Sequence, residues 1–543
     1  MGSSNGIEEE MNPCGTAGTG YPVSSIDRKA SFFARAFKGT FLMNTSITRC
    51  GILVLMVASG SVVGGKPIRN SLGQSGGPGF VPERNMVNLR ERNLPADWCV
   101  EEGKLKNVKW SADVGNESFG QPVVAQGMVF VATNDPRRDP KTNTNPAVLM
   151  AFSERDGKLL WRNVHPCSND PLCCGCPAAL LSTPTVDDDK LYYATPTSEV
   201  ICAACKNGNI LWRHDLSKRL KTVSMYRCAC SPLIVGDLVF ITTGHGRTDY
   251  DTIPLDKDAP SFVALNKHTG KLVWESALPS ANVIRGQWSN PTFAMVDGVP
   301  LVLFGGGDGV LYGLAPESGK MLWKCDCLPK SEREGQGNTI VSTPVVVGHR
   351  IYLGLGVHCG GGEHRKKPHS YFLCLDLRGK GDVSFKSYDA KAPENKGSAL
   401  VWAFGGPITP RPAKGRGVYF DATMSTAAVH DGLVYISEQD GYLHCLDANT
   451  GHCYWVHDVG SKVNGSAYWV DGRVYLGTDE GRVWILEHGK TRKLLAKIDM
   501  EYGPILTTPT AGNGVLFVLE RSKLYALARP AAPVPKKVKP RCD

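Results

Sequence analysis

Three closely spaced cysteine pairs are the first residues whose chemistry needs an account. Cys202-Ala-Ala-Cys205 has the spacing of a zinc or redox pair, and Cys228-Ala-Cys230 is tighter than structural zinc sites favour. Cys325-Asp-Cys327 follows directly on Trp323 and Lys324. Cys202 falls in an apolar strand and Cys205 in the turn after it, so disulfides or buried thiols are expected there rather than a metal. Haem attachment needs His directly after Cys205, where Lys206 stands. His358, Cys359, Glu363, His364 and His369 are donors that suit a soft transition metal. They lie among Gly360, Gly361, Gly362, Arg365, Lys366 and Lys367, which read as a solvated loop, and no second cluster completes a ligand set. Phe304-Gly-Gly-Gly-Asp308-Gly309 has the composition of a phosphate cradle, but no helix follows to lend its dipole, so it reads as a glycine hairpin. His-Glu-x-x-His does not occur, which removes one hydrolase route. No metal site and no catalytic residue is expected from these groups.

The elements that must position such residues are set by an internal repeat. Leu149-Met-Ala-Phe-Ser-Glu-Arg-Asp-Gly157-Lys-Leu-Leu-Trp161 returns as Phe262-Val-Ala-Leu-Asn-Lys-His-Thr-Gly270-Lys-Leu-Val-Trp274. Further copies end at Trp323 and Trp455, with weaker ones ending at Trp212 and Trp402. Trp110, Trp161, Trp212, Trp274, Trp323, Trp402 and Trp455 therefore recur with a period near 50 residues, interrupted by two insertions, as in arrays and propellers. Upstream of each phrase lies a polar residue before an apolar strand, as in Thr183-Pro184, Ser231-Pro232, Thr343-Pro344 and Thr508-Pro509. Apolar runs bounded by Asp-Gly, Asn-Gly and Thr-Gly read as hairpins, and four antiparallel strands per unit make a blade. Full units begin near residues 121, 183, 231, 290, 343, 425 and 465; an eighth begins at Thr508 and lacks its last strand. Lys106-Asn-Val-Lys-Trp110 has no strands of its own before it, so it is expected to complete the eighth blade and close the ring. The expected fold is all-β, an eight-bladed propeller over residues 105–528. The repeated tryptophans read as packing between blades, not as a cofactor box.

Composition bounds the rest. The 543 residues include 60 Gly, 35 Pro and 18 Cys, with 42% hydrophobic and 21% charged, which excludes global disorder. No run of about 18 apolar residues occurs, so no conventional membrane span is expected. The net charge of +9 is scattered or placed on the tail, and no basic face with interleaved aromatics emerges, so nucleic acid is not an expected partner. Residues 1–42 read as an unstructured extension ahead of a start at Met43. Residues 43–64 carry a short basic stretch, about 13 apolar residues from Gly51 to Val63 and small residues after them, a secretory signal. Cys50 precedes the apolar run, so export without lipidation is expected, into a periplasmic or extracellular setting. The cysteine count agrees with an oxidising compartment and disulfides. Residues 65–104 read as an irregular linker and 529–543 as a Pro/Lys tail.

The unit Leu-Tyr-x-Leu-x-x-x-Thr/Ser-Gly-Lys-x-Leu-Trp resembles the tryptophan-docking repeat of pyrroloquinoline-quinone-type eight-bladed propellers. Gly286-Gln-Trp-Ser-Asn-Pro-Thr292 and Phe304-Gly-Gly-Gly-Asp308-Gly-Val-Leu-Tyr312 are similar to the secreted propeller proteins of planctomycete-type bacteria. The superfamily includes quinone-dependent alcohol dehydrogenases and an outer-membrane barrel-assembly scaffold. For a dehydrogenase the resemblance implies a quinone held between a vicinal disulfide and a Trp, calcium held by Glu and Asn, and an Asp base. Cys173-Cys174 stands where the vicinal pair would fall. The polar segment expected after it is replaced by Gly175-Cys-Pro-Ala-Ala-Leu-Leu181, and the calcium Asn of a Thr-Gly-Asn by His245 in Thr243-Gly244-His245. A neutral imidazole suits calcium poorly. Glu275 to Trp288 contains no Asp to act as base. The expectation is therefore an exported, non-catalytic binding or scaffold module, monomeric, holding a protein or extracellular ligand at one propeller mouth. Insertions at 135–147, 244–260 and 356–370 would form that surface. No cofactor is expected; pyrroloquinoline quinone and calcium belong to the dehydrogenase alternative, and a barrel-assembly scaffold is the third reading. Cys173, Cys174, His245, Arg285 and Trp288, with Gln287 and Asn290 beside them, are the candidates to line the channel.

Overall fold

The computed structural model describes residues 82–141, 143–167, 179–220, 230–245, 256–284, 286–330, 339–356, 370–410, 412 and 415–530. These residues form eight antiparallel sheets of at least four strands each, an eight-bladed propeller in which helices are nearly absent. In chain order the blades span residues 123–165, 185–215, 233–276, 292–326, 345–420, 428–458, 468–499 and 510–527, and are called blades 1 to 8. Blade 8 takes its outer strand from Val108–Asp113, with Val108 opposite Leu527 and Ser111 opposite Tyr525, so the ring closes as the repeat requires. Among the described residues no helix is long and apolar enough to cross a membrane.

Six of the eight blades are built around one alanine or cysteine on the third strand. In blade 6, Cys445 on the third strand lies opposite Tyr435 of the second and Trp455 of the fourth. The two rings meet across it with centroids 5.9 Å apart. The same arrangement recurs as Phe130–Ala151–Trp161, Tyr192–Cys202–Trp212, Phe240–Ala264–Trp274, Tyr352–Cys374–Trp402 and Phe517–Ala526–Trp110. Only a side chain of alanine or cysteine size leaves room for that ring contact. This decides between the two states expected of the cysteines. Cys202, Cys205, Cys230, Cys325 and Cys327 are free, buried thiols, one of the two states expected of them. Cys202, Cys374 and Cys445 owe their place to volume, since free Cys packs as a small hydrophobe. Burial pushes the Cys202 thiol up to about 11 and those of Cys374 and Cys445 up to about 12.

The tryptophans also join blades. The indole N–H of Trp161 donates to Cys205 O of the next blade at 2.9 Å, and its ring covers Gly208. Trp110, Trp212, Trp274, Trp402 and Trp455 likewise donate to Glu154, Lys267, Pro316, Ala448 and Gly489 carbonyls. Two joints depart from the rule. Between blades 4 and 5 the Thr-Gly turn is replaced by residues 377–399, whose Gly381–Asp382 adds a parallel strand to Trp323 and Lys324. Trp323 is 1% exposed there, and its indole N–H has no acceptor. In blade 7 the tryptophan position is Ala496, opposite Ile485. Trp98, from outside the repeat, packs with Ile485, Ala496 and the blade 8 core instead.

Candidate functional site in the central channel

The first strand of each blade lines the channel, and at five of the eight joints neighbouring first strands touch. The polar residue just before each of these strands has a job that its position in the repeat dictates. Gln121 N–H donates to Thr183 Oγ1 (3.2 Å), Thr183 N–H to Ser231 Oγ (3.2 Å) and Ser231 N–H to Asn290 Oδ1 (2.7 Å). Asn290 Nδ2 continues to Thr343 Oγ1 (2.8 Å), and across the ring Thr426 N–H and Ser466 N–H donate to Ser466 Oγ and Thr508 Oγ1 at 2.9 Å. Each link passes from one blade to the next. The result is a belt of hydroxyl and amide groups around the channel wall, which satisfies amides that no strand pairs.

Residues 82–106 do not hang off the ring. Pro82 O accepts the Phe293 amide of blade 4 and Glu83 O the Val346 amide of blade 5, at 2.9 and 3.0 Å. Met86 bonds Ala427 O and the Trp469 amide, and the Asn85 side chain bonds both backbone groups of Val429 at 2.9 Å. Val87–Asn88 pairs parallel with Trp469 and Val470 of blade 7. The Glu91 carboxylate accepts the amides of Asn513 and Gly514 in blade 8. The segment thus visits the inner strands of blades 4 to 8 in turn. Its next stretch buries Leu94, Trp98 and Val100 against blades 7 and 8, with Trp98 Nε1 3.3 Å from Met500 Sδ.

Arg84 turns into the channel from this segment. Its backbone is left-handed (φ 58°), a conformation that non-glycine residues rarely hold without strong tertiary constraint. The residue is 5% exposed. Nε donates to Pro291 O at 3.0 Å, and Nη2 to Ser231 O and Pro232 O at 2.9 and 3.0 Å, which ties blades 3 and 4. Burial lowers its pKa to about 10, so it stays cationic at neutral pH. Beside it lies a cavity of about 70 Å³ lined by Arg84, Met86, Gln121, Thr183, Thr185, Ser231, Asn290, Thr343 and Thr426. Pockets that hold organic ligands run to roughly 300–1,000 Å³. Nothing in the sequence flagged Arg84, which lies in a stretch without repeat or periodicity.

Of the residues singled out from sequence, Cys173, Cys174 and Arg285 lie outside the described residues, as do residues 43–64, the His358–His369 loop and residues 531–543. His245 is buried and works within its own loop: its amide donates to Thr243 Oγ1 (3.1 Å) and Nε2 lies 2.8 Å from Asp256 O. Gln287 is buried beside the half-buried Trp288 and accepts the Gly307 amide at 2.6 Å, which fixes the glycine hairpin of blade 4. Asn290 belongs to the belt. Sequence reasoning did not find the carboxylates that the second turn of blades 4, 6, 7 and 8 turns inward. Asp308 accepts the Tyr312 hydroxyl at 2.7 Å. Glu438, fully buried, meets Arg416, His444 Nε2 (2.9 Å) and the Asp421 amide. Asp479 accepts Asn464 Nδ2 at 2.8 Å. Glu520 accepts the Tyr502 amide at 2.9 Å, and burial pushes its carboxyl up to about 7. Among the described residues no three His, Cys, Asp or Glu side chains are grouped to hold a metal ion. A calcium–quinone centre in this cavity therefore does not fit the residues described: His245 is committed to Asp256, and the space matches a few waters.

Comparison with known proteins follows the geometry. A family described as outer membrane protein assembly factor BamB matches residues 57–164, 145–356 and 389–529. A tetrathionate hydrolase of Acidithiobacillus ferrooxidans is 23% identical over 367 residues, which span 63% of this chain and 63% of that protein. Among solved structures, a quinohemoprotein alcohol dehydrogenase of Comamonas testosteroni superposes with a TM-score of 0.53 at 13% identity, over 86% of this chain and 82% of that one. A europium-containing methanol dehydrogenase gives 0.53 at 14%, over 82% and 89%. At these identities the shared property is the fold.

Proposed function

This chain belongs to the family described as outer membrane protein assembly factor BamB, and from that premise we propose that it is an exported, non-catalytic propeller. On this reading it binds a protein or extracellular ligand at one mouth of the ring. The observation that carries the reading is that residues 82–91 run along the inner strands, with Arg84 beside a cavity of about 70 Å³. A cofactor-bearing propeller needs the channel for the cofactor, whereas a scaffold uses the ring as a rigid frame for its loops. The loops at 135–147, 244–260 and 356–370 supply the contact surface. On the first of them Asp135 is held by Arg137 and Arg162 at 2.8 and 3.1 Å, and the Arg137 hydrogen bond lowers its carboxyl to about 2.

The test is direct. Purified full-length protein is incubated with pyrroloquinoline quinone and calcium and assayed for alcohol oxidation with a dye acceptor, and separately for breakdown of tetrathionate. The expected result is no turnover in either assay and no stoichiometric uptake of the quinone. Saturable quinone binding with dye reduction, abolished by Cys173→Ala, overturns the proposal in favour of a dehydrogenase. Tetrathionate turnover overturns it in favour of a hydrolase.

A further inference from the structure

We propose that the joint between blades 6 and 7 is an acid-sensitive latch, in which His430 and His488 share Asp431 and let go of residues 85–88 when both rings are charged. The cluster is built by two blades. His430 ends the first strand of blade 6 and Asp431 follows it in the turn, while His488 stands in the third turn of blade 7. His430 Nε2 lies 3.2 Å from Asp431 Oδ2, and His488 Nε2 lies 3.9 Å from the same oxygen. The imidazole centroids are 5.5 Å apart. One carboxylate thus faces two imidazoles from different blades.

The wiring suits a neutral His488. The Tyr435 hydroxyl accepts the Gly489 amide at 2.9 Å, so its own proton goes to His488 Nδ1, also 2.9 Å away. A proton on that nitrogen would turn an acceptor into a donor and set it against the Tyr435 O–H. Burial, and then the charge of His430, hold His488 below the ordinary imidazole value against the pull of Asp431. Neighbouring charges are committed elsewhere. Asp471 pairs with Arg473 at 2.9 Å and Glu487 with Lys493 at 2.8 Å, and Lys490 Nζ lies over the Tyr454 ring. The amino-terminal segment is anchored on the same two strands. The His430 ring lies against the Trp469 indole, with centroids 3.9 Å apart. The Trp469 amide donates to Met86 O at 3.0 Å, and Val87 pairs with Trp469. On the blade 6 side, Met86 donates to Ala427 O and Asn85 bonds Val429, the residue before His430. Acid that charges both rings leaves one carboxylate for two cations and breaks the Tyr435 bond. The strands that hold residues 85–88 are then driven apart. The sign follows from linkage. His488 is depressed in the closed joint, so the closed joint is favoured above the ordinary value of 6.5 and loses ground as the pH falls below it. The latch lies among the first and third turns, at the end of the ring opposite the second turns that carry the insertions, so it is independent of the binding reading.

The experiment is peptide-resolved hydrogen exchange on the full-length protein at about pH 7.5 and about pH 5.5, with labelling times scaled for the intrinsic rate. Residues 85–88 and 468–470 are expected to lose protection by about fivefold or more at the lower pH, while the inner strand Thr185–Asp187 of blade 2 keeps its own. His457, at the other end of the same joint, is also held low by burial and by Arg492, so a variant at His488 isolates the latch. His488→Asn keeps an acceptor for Tyr435 and cannot take the proton; it should abolish the acid response of residues 85–88. If that variant does not fold, the wild-type pattern decides alone. Equal protection at both pH values, loss spread evenly over all blades, or a full acid response in His488→Asn overturns the proposal.

Discussion

Replacing Gly451 by alanine would place a Cβ 2.7 Å from two ring carbons of Trp402, at a backbone φ of +73°. Real Cβ atoms do not approach so closely, and the left-handed backbone disfavours any side chain. The expected cost is about 2 kcal/mol, read as a shift in denaturant midpoint without a change in slope. Charge buried at single residues makes a second prediction. Glu438→Gln leaves Arg416 facing a neutral amide in a pocket where Glu438 itself is fully buried, and should destabilise by about 3 kcal/mol. Glu520 acts in the opposite sense. Its folded pKa of about 7 lies above its ordinary 4.5, so the folded state holds this proton more tightly than the unfolded one. Stability from this group is present below pH 4.5 and is lost as the pH rises through 7. Glu520→Gln should therefore flatten the decline of stability between those values and raise stability above neutral pH, by on the order of 3 kcal/mol. An unchanged pH profile in the variant would show that the carboxyl titrates normally.

At the scale of the element, the blade explains which positions could be read in advance. The Thr-Gly turn and the tryptophan recur because each turn must pass under the indole of the blade before it, so the constraint is local and repeats. The sequence left disulfide and buried thiol open for these cysteines because the third strand asks only for small volume. Cys202, Cys374 and Cys445 meet that requirement as Ala151, Ala264 and Ala526 do elsewhere. Changing Cys374 to alanine should accordingly cost less than about 1.5 kcal/mol, and melting should be the same with and without reductant. A reductant-dependent melting temperature would mean that these residues are bridged. The joint between blades 7 and 8 makes a sharper case. Ala496 stands where a tryptophan belongs, and Trp98 fills the joint from another part of the chain. Trp98→Ala should cost about 3–4 kcal/mol, while the sequence phrase alone would assign it no role. A loss below about 1 kcal/mol would contradict the filling role.

On the scale of the whole molecule, ring closure was legible and the occupied channel was not. The missing fourth strand of the last unit and the orphan strand at Val108 are complementary gaps that one sequence displays. Residues 82–106 carry no repeat, and their hydrogen bonds go to backbone groups of blades far along the chain, which leave no trace in side-chain pattern. The scaffold reading proposed above rests on this segment, which runs along the inner strands of the ring. Its protection from solvent is therefore the most direct test. Peptide-resolved hydrogen exchange on the full-length protein should show residues 84–91 exchanging as slowly as the inner strand Thr510–Gly512, with the Met86 amide held by Ala427 O. Exchange of that stretch at the rate of an exposed loop, under conditions where the blades stay protected, would mean that the channel is open and would contradict the account.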